Sequence, residues 1–262
     1  MDLNLTGKTA LVCGSTQGLG YASAVELSRL GAHIILMARN EEKLKAAVES
    51  LPVIPGQQHE YLVADFQSVE PVAAAVQTLV ERQRTVHILV NNTGGPAGGP
   101  ALSADLSAYR QAFESHVMCN HVLVQALVPG MKEAGFGRIV NIISTSVKAP
   151  IRGLGVSNTI RAAVANWSKT LSVELAPFGI TVNNVLPGFT QTERAGYVVE
   201  SKAKATGKDA DQVMQELIAE IPAGRIGQPE EFGAAVAFLC SPAAAYINGI
   251  NLPVDGGRLP TG

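Results

Sequence analysis

The sequence is short of cysteine, of aromatic residues and of charge. Its three cysteines, Cys13, Cys119 and Cys240, are odd in number and far apart. That argues against a disulfide framework and against a zinc site, so no metal is expected, and it fits a reducing cytoplasm. Charged residues are 16% of the 262 and leave a net charge of −2. Such a near-neutral chain lacks the electrostatic footprint for nucleic acid or an anionic membrane. No apolar run approaches the ~18 residues of a membrane span. The opening MDLNLTGKTALV lacks the charged-then-apolar layout and cleavage site of a secretory signal. A cytoplasmic protein with neither nucleic acid nor membrane among its partners is therefore expected. Linkers, composition breaks and repeats of roughly 20–50 residues are also missing. What is present is 47% hydrophobic residues and 26 glycines. That is too apolar for a disordered chain, and a single α/β unit of this size buries roughly three quarters of its unfolded surface.

Short β-rich runs alternate with stretches of helical period. The runs are Thr9–Cys13, His33–Met37, Tyr61–Val63, His87–Val90, Arg138–Ile143, Ile180–Leu186 and Ile250–Val254. They are nearly continuous in apolar residues, as strands covered on both faces are. The helical stretches include Leu19–Leu30, Glu41–Glu49, Val69–Arg84, Ala108–Glu133, Ser157–Ala176 and Glu230–Leu239. Seven strands alternating with helices predict an α/β fold, a Rossmann-like doubly wound parallel sheet in one domain over 1–262. Its nucleotide-binding half covers about residues 1–150. The Gly/Pro-rich stretch Gly94–Pro100 follows a strand and reads as a loop at the ligand-binding edge of the sheet. Segment Phe189–Arg225 is the longest without a strand and holds one polar helix candidate, Ala210–Glu220. It reads as a substrate or lid region at about residues 188–225.

The first run leads into Gly14-Ser15-Thr16-Gln17-Gly18-Leu19-Gly20. Gly14 permits a tight turn, Gly18 lets backbone approach a pyrophosphate, and Gly20 lets the helix pack close to the sheet. The N–H groups of the helix start then face the phosphates. The strand–turn–helix context makes the glycine pattern specific. The second run ends in Met37-Ala38-Arg39-Asn40. A cation there accommodates a 2′-phosphate, where an acidic residue would bind the free ribose hydroxyl, so Arg39 favours NADP(H) over NAD(H). The other reading of Arg39 is a solvated residue leading a helix.

Taken together, these features resemble the short-chain dehydrogenase/reductase family, and within it the 3-oxoacyl-[acyl-carrier-protein] reductase-like branch. The resemblance spans nearly the whole chain. It is carried by GSTQGLG at 14–20, Asp65, Asn91-Asn92-Thr93-Gly94, GRIVNIIS at 137–144, Pro187-Gly188 with Thr192, IPAGRIGQPEEFGAAVAFL at 221–239 and VDGG at 254–257. It implies a nicotinamide cofactor, a small-molecule carbonyl or alcohol substrate, and a homotetramer or homodimer. Asp65 would contact the adenine, Asn91 and Gly94 the middle of the cofactor, and Pro187, Gly188 and Thr192 its nicotinamide end. Cys13 departs from the threonine usual before the first glycine.

The catalytic positions also depart from the pattern, which in the family carries Asn, Ser, Tyr and Lys. Ser144 matches the serine. By the family spacing the tyrosine position falls on Ser157, the lysine position on Arg161 and the asparagine position on His116. No tyrosine lies between Gln111 and Gly196, so no small shift of register restores one. Lys148, Tyr109 and Tyr197 are the remaining side chains that could enter the site, whereas Lys169 belongs to an interface or solvent. A phenol serves as acid because its pKa of about 10 can be lowered by a neighbouring lysine. A serine hydroxyl is a far weaker acid and is more naturally a polar wall. Ser157 and Arg161, four residues apart, share a helix face. Arg161 stays protonated, so it stabilises an anion without relaying a proton; it either binds cofactor ribose or phosphate or sits in a structural ion pair. His116 can titrate near neutral pH and feed a proton through water or Ser144, or it is a packing histidine. Two functions follow: an NADPH-dependent carbonyl reductase with modified proton delivery, or a non-catalytic dinucleotide-binding protein in sensing or assembly.

Overall fold

The computed structural model describes residues 1–259. β1 (Thr9–Cys13) runs into α1 (Gly18–Arg29), β2 (His33–Ala38) into α2 (Glu41–Glu49), and β3 (Glu60–Val63) into α3 (Val69–Glu81). β4 (Ile88–Asn91) leads through a loop to α4 (Leu106–Phe113), a π-helical turn (Glu114–Met118) and α5 (Cys119–Glu133). β5 (Gly137–Ile142) precedes α6 (Gly155–Leu175). β6 (Ile180–Pro187) precedes α7 (Glu193–Thr206), α8 (Ala210–Ala219) and α9 (Pro229–Cys240), and β7 (Asn251–Val254) closes the sheet. The strands form one parallel sheet in the order β3-β2-β1-β4-β5-β6-β7. Strand order reverses between β1 and β4, and a crevice for ligands opens beyond the carboxyl ends at such a reversal.

The continuous apolar runs are explained by two cores, one on each face. On β1, Ala10 and Val12 pack with Ala24, Leu27, Phe232 and Val236, while Leu11 and Cys13 point the other way onto Val76, Leu123 and Leu127. The central strands are covered on both faces, as expected. The edges are not: β3 is only partly buried, with Val63 45% exposed, and β7 is half-buried along its length. No helix of the described residues is long and apolar enough to cross a membrane, and all three cysteines are free and buried.

A ladder of asparagines crosses the apolar sheet. Asn91 on β4 stands in register with Asn141 on β5, Asn141 with Asn184 on β6, and Asn184 with Asn251 on β7. Each side-chain amide donates to the next carbonyl oxygen: Asn91 to Asn141 at 2.8 Å, Asn141 to Asn184 at 3.0 Å, and Asn184 to Asn251 at 2.8 Å. Asn141 also reaches Ser168 of α6 at 3.2 Å. Buried amides are costly unless partnered, so the ladder favours the register in which the four stand opposite one another; of their side-chain oxygens only the Asn91 Oδ1 at its head lacks a partner among the described residues.

Two helical regions differ from the sequence expectation. The single helix expected over Ala108–Glu133 is divided by the π turn at Glu114–Met118. Its extra residue turns His116 and Val117 inward while α4 and α5 keep their own buried stripes. In the segment after β6 there are two helices where one was expected. α7 escapes the periodicity test because it buries only Ala195 and Val199; its start is marked instead by Thr192, which accepts the Ala195 N–H. With Val213 and Leu217 of α8, Val199 forms a small separate apolar cluster.

His87 links the starts of β1 and β4. Its Nδ1 accepts the Thr9 N–H at 3.1 Å, which requires the unprotonated nitrogen. Burial, then the nearby Lys8 and Arg84, pull its pKa down to about 4. The folded state therefore resists a proton that the unfolded chain accepts near the ordinary histidine value of about 6.5. Stability from this group is complete above that value and is lost as pH falls toward 4. His87→Gln should flatten the decline of the melting temperature between pH 6.5 and 4 relative to wild type; parallel declines in thermal melts would refute this account.

Candidate active site

At the sheet reversal, the β1–α1 turn is built from inside. Ser15, fully buried, donates its hydroxyl to Val12 O at 2.7 Å and accepts the Met37 N–H at 3.2 Å. That hydroxyl thus serves the fold and ties the turn to β2. Gly14 and Gly18 adopt positive φ of 55° and 61°. A Cβ on Gly20 would stand 2.3 Å from Gly14 O, so α1 can start this close to the turn only with glycine there. Asn92, which sequence reasoning passed over, donates to Cys13 O at 3.3 Å and Gly14 O at 3.0 Å and holds the turn against the end of β4. Cys13 itself is fully buried, and burial raises its thiol well above the ordinary range.

The features that would receive a dinucleotide remain free. Gln17 precedes α1 without capping it by its side chain, so the first N–H groups of that helix are left for an anion. Thr16, Gly18 and Leu19 are partly accessible. Arg39 is exposed at the end of β2 and makes no ion pair among the described residues. Asp65 follows β3, half-buried, and accepts the Gln67 N–H at 3.1 Å. Asn91 is buried within the asparagine ladder, so its amide supports the sheet beneath the crevice. Gly94 is exposed on the loop above it. Pro187 ends β6, and Gly188 lies so near Asp255 that a Cβ would come within 2.4 Å of its Cα. A Cβ on Gly18 would meet the Thr192 side chain at 3.7 Å, and the following Glu193 accepts from Gln17 Nε2 at 2.6 Å. The start of α7 thus bridges to the glycine turn.

The second half of the site lies beyond β5. Ser144, partly accessible, accepts the Ser146 N–H at 3.0 Å and keeps its own O–H to donate. Ser157 and Arg161 occupy successive turns of α6, both facing inward. Arg161 donates from Nη1 to Ile142 O at 3.1 Å, and its Nε has no partner. Of its two sequence readings, the structural ion pair is absent among the described residues. Burial, then Arg194, lower its pKa to about 10, so it remains a cation at neutral pH. His116 departs from the expectation of titration near neutrality. It is 2% exposed, and burial followed by the charges of Arg161 and Arg194 pull it down to about 3. At neutral pH it is an uncharged imidazole. Lys148 is exposed, Tyr197 is 77% exposed, Tyr109 packs on the apolar cluster of Val156 and Ile160, and Lys169 donates to Gly249 O at 3.3 Å.

Residues 14–258 match the family model described as enoyl-(acyl carrier protein) reductase. The chain belongs to the short-chain dehydrogenase/reductase family. It is 33% identical over 257 residues to the 3-oxoacyl-[acyl-carrier-protein] reductase of Pseudomonas aeruginosa, covering 97% of this chain and 98% of the relative. L-sorbose reductase from Gluconobacter frateurii, solved with NADPH and L-sorbose, superposes with a TM-score of 0.93 at 33% identity over 100% of both chains. The F189W actinorhodin polyketide ketoreductase, solved with NADPH, gives 0.89 at 32% identity, covering 96% of this chain and 97% of that one.

Within this family fold, the crowding at Gly20 has a direct consequence. Gly20→Ala should lower stability by about 1–3 kcal/mol through overpacking and weaken dinucleotide binding. Gly130→Ala on α5, where the nearest atom outside the helix is 3.8 Å from the new Cβ, is the control and should be neutral or slightly stabilising. Chemical denaturation of both variants checks this; equal effects would remove the close-approach argument.

Proposed function

We propose that this protein reduces the carbonyl of a small molecule with NADPH as hydride donor. The observation that carries the reading is the intact crevice. An uncapped helix start sits behind a turn in which glycines are required, Arg39 is free at the end of β2, and a serine hydroxyl can donate at the far end. Family membership and relatives that are ketone or ketoacyl reductases support it. The glycine turn and the α1 N-terminus would hold the pyrophosphate, Arg39 the 2′-phosphate, and Asp65 the adenine side. Gly94, Pro187, Gly188 and Thr192 would line the nicotinamide end. A dinucleotide held there would supply the hydride for the carbonyl carbon.

The chain's own residues then handle charge more than protons. Ser144 donates to the carbonyl oxygen. The Arg161 cation lowers the energy of the developing alkoxide, since a fixed charge in a water-poor site acts strongly. Ser157, at the position to which the family resemblance assigns a tyrosine, is too weak an acid to protonate that oxygen, and His116 is uncharged. The proton therefore comes from water, which makes the reaction slower than in a family member with tyrosine and lysine. The exposed apolar residues Leu106, Phe113 and Met118 around α4 and Val173 on α6 support assembly into a homodimer or homotetramer through these helices. Free buried cysteines support residence in the cytoplasm.

Binding titrations should show NADPH held more tightly than NADH, with Arg39→Ala reducing the preference about tenfold; an unchanged preference would remove Arg39 from the 2′-phosphate site. Replacing Ser157→Tyr together with Arg161→Lys should raise the turnover of a neutral 3-oxo ester by about 10²-fold, the scale of a restored general acid. A folded double variant with no gain would show that a missing acid is not what limits the reaction.

A further inference from the structure

Two arginines meet in the candidate crevice, and no carboxylate among the described residues pairs with either. A Cβ placed on Gly95 would lie 2.9 Å from Arg194 Nη2 and 3.6 Å from Arg161 Nη2, so both guanidinium groups border one small volume at the loop after β4. Arg161 is only 9% exposed, and its buried Nε makes no hydrogen bond. The ion pairs among the described residues involve neither arginine. The nearest titratable neighbour on α4 and its π turn, His116, is held neutral and adds no negative charge. A buried cation without a counterion is unfavourable, and a second cation beside it makes matters worse. The guanidinium fork also matches a planar carboxylate in a bidentate way.

Placement argues for which anion it is. Arg161 bonds Ile142 O, two residues before Ser144, and Arg194 reaches over from α7. The pair therefore stands at the Ser144 end of the crevice. The geometry points to a carboxylate subsite: the substrate is an oxo acid whose carboxylate lies between Arg161 and Arg194 while its carbonyl oxygen faces Ser144. This rests on the reductase reading for the carbonyl, though not for the anion. A phosphate of the cofactor is the other source of such charge, because Thr192, two residues before Arg194, stands 3.7 Å from where a Cβ on Gly18 would be.

Titration calorimetry on the full chain, with and without NADP⁺, separates these sources. The probes are 2-hydroxybutanoate and 2-hydroxybutanamide, which share a shape and differ in charge. The carboxylate should bind at least about tenfold more tightly than the amide, as expected for a charge-assisted pair. Arg194→Leu, at an exposed position where folding is not at risk, should abolish that discrimination and leave NADPH affinity within about twofold of wild type, and Arg194→Lys should restore part of it. Equal affinities for acid and amide, or no binding of the acid in the millimolar range, overturn the proposal. So does a loss of NADPH affinity of about tenfold or more in Arg194→Leu, which would give the pair to the cofactor. Should wild type bind no dinucleotide yet prefer the acid, the reductase reading fails and the carboxylate subsite stands.

Discussion

The site depends on how closely the β1–α1 turn can approach the end of β4. Asn92 fastens the turn by two hydrogen bonds to its carbonyl oxygens, and the absence of a side chain at Gly20 lets α1 start close to it. Ser15 fastens the same turn from beneath to β2. With its carbonyls held from two sides, the turn presents the N–H groups of α1 outward, and these make a helix start attractive to a phosphate. The rest of the crevice is arranged around that fixed point: Arg39 and Asp65 to one side, and the ends of β5 and β6 to the other.

On that second side the electrostatics is unusual in a specific way. Arg161 is a buried cation with Arg194 beside it, and His116 is kept uncharged first by its own burial and then by their charge. A site of this kind stabilises negative charge effectively and transfers protons poorly. The two properties are linked, since burial strengthens the field that favours an alkoxide and, together with that field, discourages a neighbouring imidazole from carrying a proton. A hydride acceptor suits such an environment, because the alkoxide it forms is stabilised before any proton arrives.

The strands could be read from the sequence because a strand covered on both faces leaves an uninterrupted apolar run, and the central five have this burial. The glycine turn was readable because its glycines have geometric reasons to be there. α7 was not: a helix that buries two residues has almost no period to detect. The π turn was hidden as well, since Ala108–Glu133 has helical composition throughout and the added residue changes phase without changing composition. Asn92 was overlooked beside Asn91 because two adjacent asparagines are indistinguishable as letters. Only the strand geometry turns one into the sheet and the other toward the turn.

Composition and periodicity by themselves determined the doubly wound parallel sheet and the glycine turn at its reversal, and the sequence alone shows that no tyrosine lies between Gln111 and Gly196. These are local properties, each written in a run of neighbouring residues. The charge state of His116, the unpaired cations of Arg161 and Arg194, and the asparagine ladder were decided by tertiary structure alone. Each arises from residues far apart in the chain that meet inside the protein or, for Arg194, at its exposed rim, and the strength of a charge or an amide there depends on what surrounds it.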